Sequence, residues 1–252
     1  MSDTNARPTK GLWKPIIIAV AVVVSAIVLA MAYTEKHRSQ SGTISVTGLG
    51  ETEFTSDLII LKGTISAQDP DASLSYEKME HNRQLLVDFL TDRGIDVDDL
   101  SFNVPTTAAQ EESMYINGEW AGYHFSHYDS SQSFTIESKD IDLVESASRE
   151  LPSLIAQGVS ISVNNPMYFF SELDDVKLDL LSQAAEDARE RAENIAKSSG
   201  ATLGDLKESR AGVFQITSST GDEEFSAGGL FNISSREKKA RVTVHSVYKI
   251  EK

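Results

Sequence analysis

"AAEDARERAENIAKSSG", residues 184–200, decides how this chain is to be read. Acids and bases alternate densely in it, as they would on a catalytic helix or on the wet face of a packing helix. The spacing separates the two. Leu173, Val176, Leu180, Ala184, Ala188, Ala192 and Ile195 step by three or four and line one stripe of a helix over about 172–199, closed by Gly200. The stripe is large at its ends and alanine in its middle, so a sheet or another helix can approach its backbone closely. Glu186–Arg189 and Asp187–Arg191 fall at the spacing of surface ion pairs, each worth about 0.2–0.5 kcal/mol. A catalytic carboxylate needs a dry pocket, and these charges project away from the buried stripe. The segment reads as a packing helix.

Working outward, "LKESRAGVFQITSS" (206–219) reads as a strand, and residues 220–237, rich in Gly, Ser and acids, as a long loop. In "ARVTVHSVYKIEK" (240–252) Ala240, Val242, Val244, Ser246, Tyr248 and Ile250 share one face, a two-residue period that marks a strand. Toward the N-terminus, 43–50 and 56–67 are strands, and Asp69-Pro70 starts a helix with Tyr76, Met79, Arg83, Leu86 and Leu90 on one face, ending at Gly94. A short strand follows at 99–105. Next come a polar segment with the turn signal Asn117-Gly118 and a strand over 122–138. Asp140 caps a helix over roughly 141–157, closed by Gly158, in which Pro152 predicts a kink or restart. Residues 159–171 read as one strand. The order β-β-α-β-β-α-β-α-β-β indicates an α+β fold with mixed or antiparallel sheets and three helices. The similar plans of 43–138 and 140–252 hint at a pseudo-duplication.

The first forty residues concern the compartment. Residues 16–33, "IIIAVAVVVSAIVLAMAY", carry only Ser25 and Tyr33 as polar side chains. Their aliphatic side chains are worth together roughly −3 to −6 kcal/mol for insertion. As a helix the run spans about 27 Å, near a hydrocarbon core of about 30 Å. Trp13 and Tyr33 flank it, and Arg7, Lys10 and Lys14 precede it, which orients the N-terminus toward the cytoplasm. The expected organisation is a basic cytoplasmic arm (1–15), a transmembrane helix or signal sequence (16–33), a tether (34–42) and an exported domain (43–252). In the signal-peptide alternative, Ala30-Met31-Ala32 supplies the cleavage pattern and leaves a soluble periplasmic protein. In the anchored form the chain is single-pass in the inner membrane, with 34–252 periplasmic.

The pattern Ala184, Ala188-Arg189, Ala192, Ile195-Ala196 and Gly200, followed by Leu203-Gly204, resembles the C-terminal signature of the SIMPL-domain family. Members are mostly exported or membrane-anchored bacterial proteins, including a periplasmic immunogenic antigen. Gly48-Leu49-Gly50, "DLIILKGTISA" (57–67), and Asn82, Leu86, Leu90 and Gly94-Ile95 agree with it in order, so the resemblance covers about 43–252. Ser56 stands where a proline often precedes the aspartate, and the 220–237 segment is long. The resemblance implies an α+β fold, a tendency to self-associate and a role in envelope or oxidative-stress tolerance. It brings no catalytic residues.

The rest of the sequence offers few chemical motifs. The net charge of −15 repels phosphate backbones, which argues against nucleic acid, and the absence of cysteine excludes disulfides and thiol catalysis. His124 and His127 lie three apart on a strand, so they point to opposite faces and cannot share a metal without a bulge. His37 lies in the tether, His81 on a helix, and His245 on the outward phase of the last strand. Asp69, Asp71, Ser73 and Glu80 mimic a calcium loop, but Leu74 occupies the place that demands glycine. Gly48-Leu49-Gly50 lacks the third glycine of a dinucleotide site. No serine has a readable base partner, and Tyr168-Phe169-Phe170 reads as buried strand aromatics. No catalytic, cofactor-binding or metal residue is assigned, and no cofactor is expected. The expectation is a binding protein that assembles with copies of itself. One alternative is an envelope hydrolase or lyase with carboxylates such as Asp129 or Glu223 beneath loops at 105–119 and 220–237. Another is a periplasmic receptor for a hydrophobic or peptide ligand, bound at a sheet edge.

Overall fold

The computed structural model describes residues 13–38, 42–221 and 228–251. They form four α-helices and eleven strands, a mixed α/β architecture. Helix α1 (Trp13–Arg38) continues through residues 34–38, which the sequence suggested as tether. The basic arm up to residue 12, tether residues 39–41 and Glu223 within 222–227 lie outside the described residues, as do the side chains of Trp13, Tyr33 and His37. Among the described residues no helix is long and apolar enough to cross a membrane. The α1 side chains that are described, at 17 and 19–31, are all exposed and cover only about 20 Å of helix.

Chain contacts divide into two units. One gathers Met1–Gly48, Ala188–Arg210 and His245–Lys252; the other gathers Leu49–Asp187 and Ala211–Val244. In the first, β1 (Thr43–Thr55) and β11 (Glu237–Glu251) supply Ile44, Val46 and Tyr248 to a small core with Ala188, Ala192 and Ala196 of α4 (Leu173–Ser198). The alanine stripe therefore does the close packing its spacing predicts. On the exposed side of α4 one ion pair joins Arg189 and Glu193, at 2.9 Å.

In the second unit, β2 (Leu58–Asp69) is the hub of a six-stranded sheet. It pairs antiparallel with β5 (Glu119–Ser138), β6 (Ser160–Val163) and β7 (Met167–Phe169), while β3 (Leu100–Phe102) and β4 (Thr106–Ile116) pair with β5. Helix α2 (Ala72–Asp92), α3 (Ile141–Glu150) and the 3-10 segment Leu151–Gln157 contribute to the core beside this sheet. Ile59, Leu61, Ile65, Phe134 and Ile136 meet Met79, Leu86, Leu90, Val144, Leu151 and Leu154 there. A smaller core sets Leu180 and Ala184 against Ile216, Ala240, Val242 and Val244. The second sheet runs β1-β11-β9-β10, with β8 (Thr202–Ala211) also on β11; β9 is Gln215–Ser218 and β10 is Leu230–Phe231. Pairing of β9 with β10 is parallel. Because β2 pairs with β6 and β7, the two sequence halves interlace in one sheet.

Several local expectations shift. The cap of α2 is Asp71, whose Oδ1 accepts from the backbone of Ser73 and Leu74, so Asp69 remains in β2. The buried face of α2 is Ser75, Met79, Asn82, Leu86, Phe89 and Leu90, displacing Tyr76 and Arg83. Ser75 and Asn82 are tolerated inside because each bonds the neighbouring sheet backbone: Ser75 Oγ donates toward Ala67 O at 3.0 Å, and Asn82 Nδ2 to Ser66 O at 2.9 Å. Pro152 ends the α-helix and the chain continues as 3-10, closed by Gly158 at φ 88°. The strand expected over 159–171 breaks at Asn164-Asn165-Pro166. The chief correction concerns 105–119, expected as a loop: Thr106–Ile116 is a full strand.

Candidate functional site

Strands β4 and β5 form a long antiparallel hairpin, Thr106↔Ser131 at its root and Ile116↔Glu119 at its tip. Asn117 (φ 54°) and Gly118 (φ 87°) make the turn, both in the left-handed region that such two-residue hairpins require. Every residue of β4 is exposed, and β5 becomes buried only from Ser130 onward. The outer part is thus a two-stranded ribbon, an element of marginal stability on its own in water.

The ribbon carries the same two faces as the sheet it extends. Toward the helices β5 presents Ser130, Gln132, Phe134 and Ile136, all buried. Counting outward through the register shifts at Ser126 and Ala121, the same face carries Tyr128, Phe125, Tyr123 and Trp120, with Tyr115 opposite Trp120 on β4. Ring contacts follow this order: Phe125–Tyr128 centroids lie 5.1 Å apart and Trp120–Tyr123 5.8 Å. Tyr115 and Tyr123 are each 64 % exposed, Trp120 59 % and Phe125 47 %. Helix cover stops at the root, where Ser75 Oγ in the first turn of α2 lies 3.1 Å from Tyr128 O. Beyond that point the core face of the sheet continues as an aromatic stripe with no helix over it among the described residues.

A hydroxyl chain fixes the root: Ser75 Oγ lies 2.9 Å from Ser130 Oγ, which in turn lies 2.8 Å from Thr107 Oγ1. Two buried acceptors nearby, Asp129 Oδ1 and Gln132 Oε1, have no hydrogen-bond partner. The bulge also revises the histidines. With Gln110 opposite His127, Glu111 opposite Phe125 and Glu112 opposite His124, the bulge supplies the condition the sequence demanded and turns His124 and His127 to one face. There Ser126 Oγ donates to Glu112 Oε1 at 2.8 Å and lies 2.9 Å from His127 Nδ1. Even so, among the described residues no cluster of three or more His, Asp or Glu converges for a metal.

Ser45 Oγ lies 3.1 Å from His245 Nε2, a nucleophile–base contact that 200 residues of separation hid in the sequence. The opposite nitrogen faces Thr47 Oγ1 at 3.3 Å, where a triad would set a carboxylate, and all three residues lie on an open strand face. An open groove of about 570 Å³ beside α2 includes Ser66, Gln68, Glu77, Lys78, His81 and Asn82. A second, of about 510 Å³, holds Asp57, Asp140, Asp142 and Arg236 beside the orphaned Ser56 Oγ. That oxygen is itself shielded from solvent, while Asp57 accepts from Ser171 N at 2.8 Å. In the segment that mimicked a calcium loop, Asp69 accepts from Lys78 Nζ at 2.6 Å and Glu80 pairs with Arg83, so these carboxylates already have cationic partners. Tyr168 donates to Glu145 Oε1 at 2.8 Å; burial first, then this bond, pushes its hydroxyl up to about 12. Asp129 lies within β5 at the hairpin root, paired with Ala108 of β4 where a loop was expected.

The feature missed in the sequence is the stripe. Its signal was present in Tyr115, Trp120, Tyr123, Phe125 and Tyr128, but the bulge breaks the two-residue alternation that would have aligned them. Residues 44–248 match a family described as SIMPL, protein of unknown function (DUF541). No curated protein matches the chain.

Proposed function

The chain belongs to the SIMPL family, and from that premise we propose that it is a membrane-anchored binding module of the cell envelope that works by assembling with copies of itself. The observation carrying this reading is the uncovered aromatic stripe of the β4–β5 hairpin. Aromatic side chains offer about 150–250 Å² each, and contiguous exposed apolar surface of that extent marks a docking site. An isolated ribbon gains order when a partner covers it.

Anchoring draws on the apolar run 16–33 and on α1, whose described large apolar side chains are 48–69 % exposed. Insertion in a bilayer satisfies that surface. Tethering confines the copies to two dimensions and raises their effective concentration, which favours weak lateral contacts. The folded body then lies outside the cytoplasm, where the family resemblance suggests envelope stress tolerance as the process served.

The test is light scattering on the full chain in mild detergent, paired with alkaline extraction of membranes. Masses several times 27.6 kDa and retention in the membrane pellet are expected. A strict monomer at every concentration contradicts the assembly, and complete release into the alkaline wash contradicts the anchor.

A further inference from the structure

The two columns of the hairpin face differ in size, and the difference specifies how it is covered. On β5 the stripe carries Tyr128, Phe125, Tyr123 and Trp120; opposite them on β4 stand Ala109, Glu111, Ser113 and Tyr115. We infer that the stripe packs face to face on the stripe of a second copy, about a two-fold axis running along the hairpin, so that the β5 column of each lies over the β4 column of the other, with Tyr128 and Tyr123 above the small Ala109 and Ser113. This rests on the assembly reading above and assigns it a surface.

Three observations select the second copy. The first is complementarity. Rotation about an axis along the hairpin sets β5 of one copy over β4 of the other at the usual sheet separation of about 10 Å. Rings then enter the space above Ala109 and Ser113. A two-fold across the hairpin would stack ring on ring and leave the small residues facing each other.

The second is area. Four of the aromatics are about half to two-thirds exposed and Tyr128 less, so of their 150–250 Å² each roughly 1,000 Å² in total leaves water when two stripes meet. That is near the lower limit for a specific interface, sufficient for partners already held together by a tether.

The third is charge. Residues 106–128 contain Glu111, Glu112 and Glu119 and no lysine or arginine. Anionic headgroups would repel such a hairpin, and a bilayer interior would penalise Glu111 within the stripe. In the two-fold arrangement the hydroxyls of Tyr123 and Tyr128 of the second copy lie toward the Glu111 column and can donate to it.

The chain has no cysteine, so single introduced cysteines report cleanly. In the full chain in detergent, Ser113→Cys on the stripe is expected to give a cross-linked dimer with a bismaleimide of about 10 Å span. Glu112→Cys, its neighbour on the opposite face, should give at least tenfold less. Adding Tyr123→Ser, or Phe125→Ser as a second variant, to Ser113→Cys should reduce the dimer at least tenfold with the circular dichroism spectrum unchanged. Equal cross-linking from both cysteines, or more from Glu112→Cys, overturns the stripe-on-stripe arrangement. Failure of both while the large mass persists overturns this arrangement and leaves the assembly reading standing. Failure of both with a monomeric mass removes the two together. Quenching of a dye on Ser113→Cys by nitroxide lipids, without cross-linking, makes the occupant a bilayer and overturns the inference.

Discussion

Gly50 of β1 lies directly against the backbone carbonyl of Leu180 in α4: a Cβ there would overlap that oxygen and stand 3.2 Å from the amide nitrogen of Ala184. Close approach to α4, allowed on one side by alanine, is allowed on the other by this glycine. Gly50→Ala is therefore expected to lower stability by about 1–3 kcal/mol or more, since the opposing atoms are backbone and cannot rotate away. Chemical denaturation checks it; a change within 0.5 kcal/mol of zero, the scale of a neutral surface substitution, contradicts the close approach.

Asn82 and Ser75 put polar atoms in the buried face of α2. Asn82→Leu removes a donor to Ser66 O, and Ser75→Ala removes the hydroxyl shared by Ala67 O and Ser130 Oγ. Each is expected to cost about 1–3 kcal/mol despite raising hydrophobicity, because a buried acceptor is left unpaired. Ser75→Ala should also increase hydrogen exchange along β4, which the hydroxyl chain roots. Unaltered exchange there would show that the root does not depend on Ser75.

Much of this fold is legible from periodicity. The stripe of α4 through Ala184, Ala188 and Ala192 and the alternating face of β11 appear at their spacings because each element buries one continuous face, although at the end of α4 Ala196 is the buried residue and Ile195 is exposed. Asp140, Gly158 and Gly200 mark their helix ends because capping chemistry is local. The hairpin was harder to read. Its β4 strand, "TTAAQEESMYI", buries nothing, so no hydrophobic alternation announces it, and only Asn117-Gly118 does so. Bulging at Ser126 put His124 and His127 on one face and gathered the aromatics on the other. Likewise Ser75 and Asn82 sit where a hydropathy rule looks for Tyr76 and Arg83, because their partners are backbone carbonyls far away in sequence.

Glu51 sits between Arg241 and Lys239, the latter at 3.2 Å. Partial burial raises its pKa, but hydrogen bonds and charge from Lys239 and Arg241 outweigh that and hold the carboxyl below its ordinary value of 4.5. A depressed folded pKa contributes stability above the unfolded value that is lost as pH falls through the folded one. Glu51→Gln should therefore be the less stable protein at neutral pH, with the gap closing below about pH 4. A gap that stays constant down to pH 2 would show that the effect is packing and not charge.

Trp120 and Tyr123 are mostly exposed, so replacing each with serine should move stability by no more than about 0.5 kcal/mol. Association, in contrast, should weaken strongly, because aromatic anchors dominate interfaces. Thermal melts of the dissociated protein separate the two effects. A loss of several degrees in the monomer would mean that the rings support the fold itself.

The central claim is that the uncovered stripe drives assembly. Native mass measurement of the full chain, extracted in mild detergent and followed over a hundredfold dilution, tests it most directly. Wild type is predicted to hold a multiple of 27.6 kDa, and the Trp120→Ser, Tyr123→Ser double variant to fall to a single chain. A wild type that is one chain throughout, or a double variant with the wild-type mass, would contradict the account.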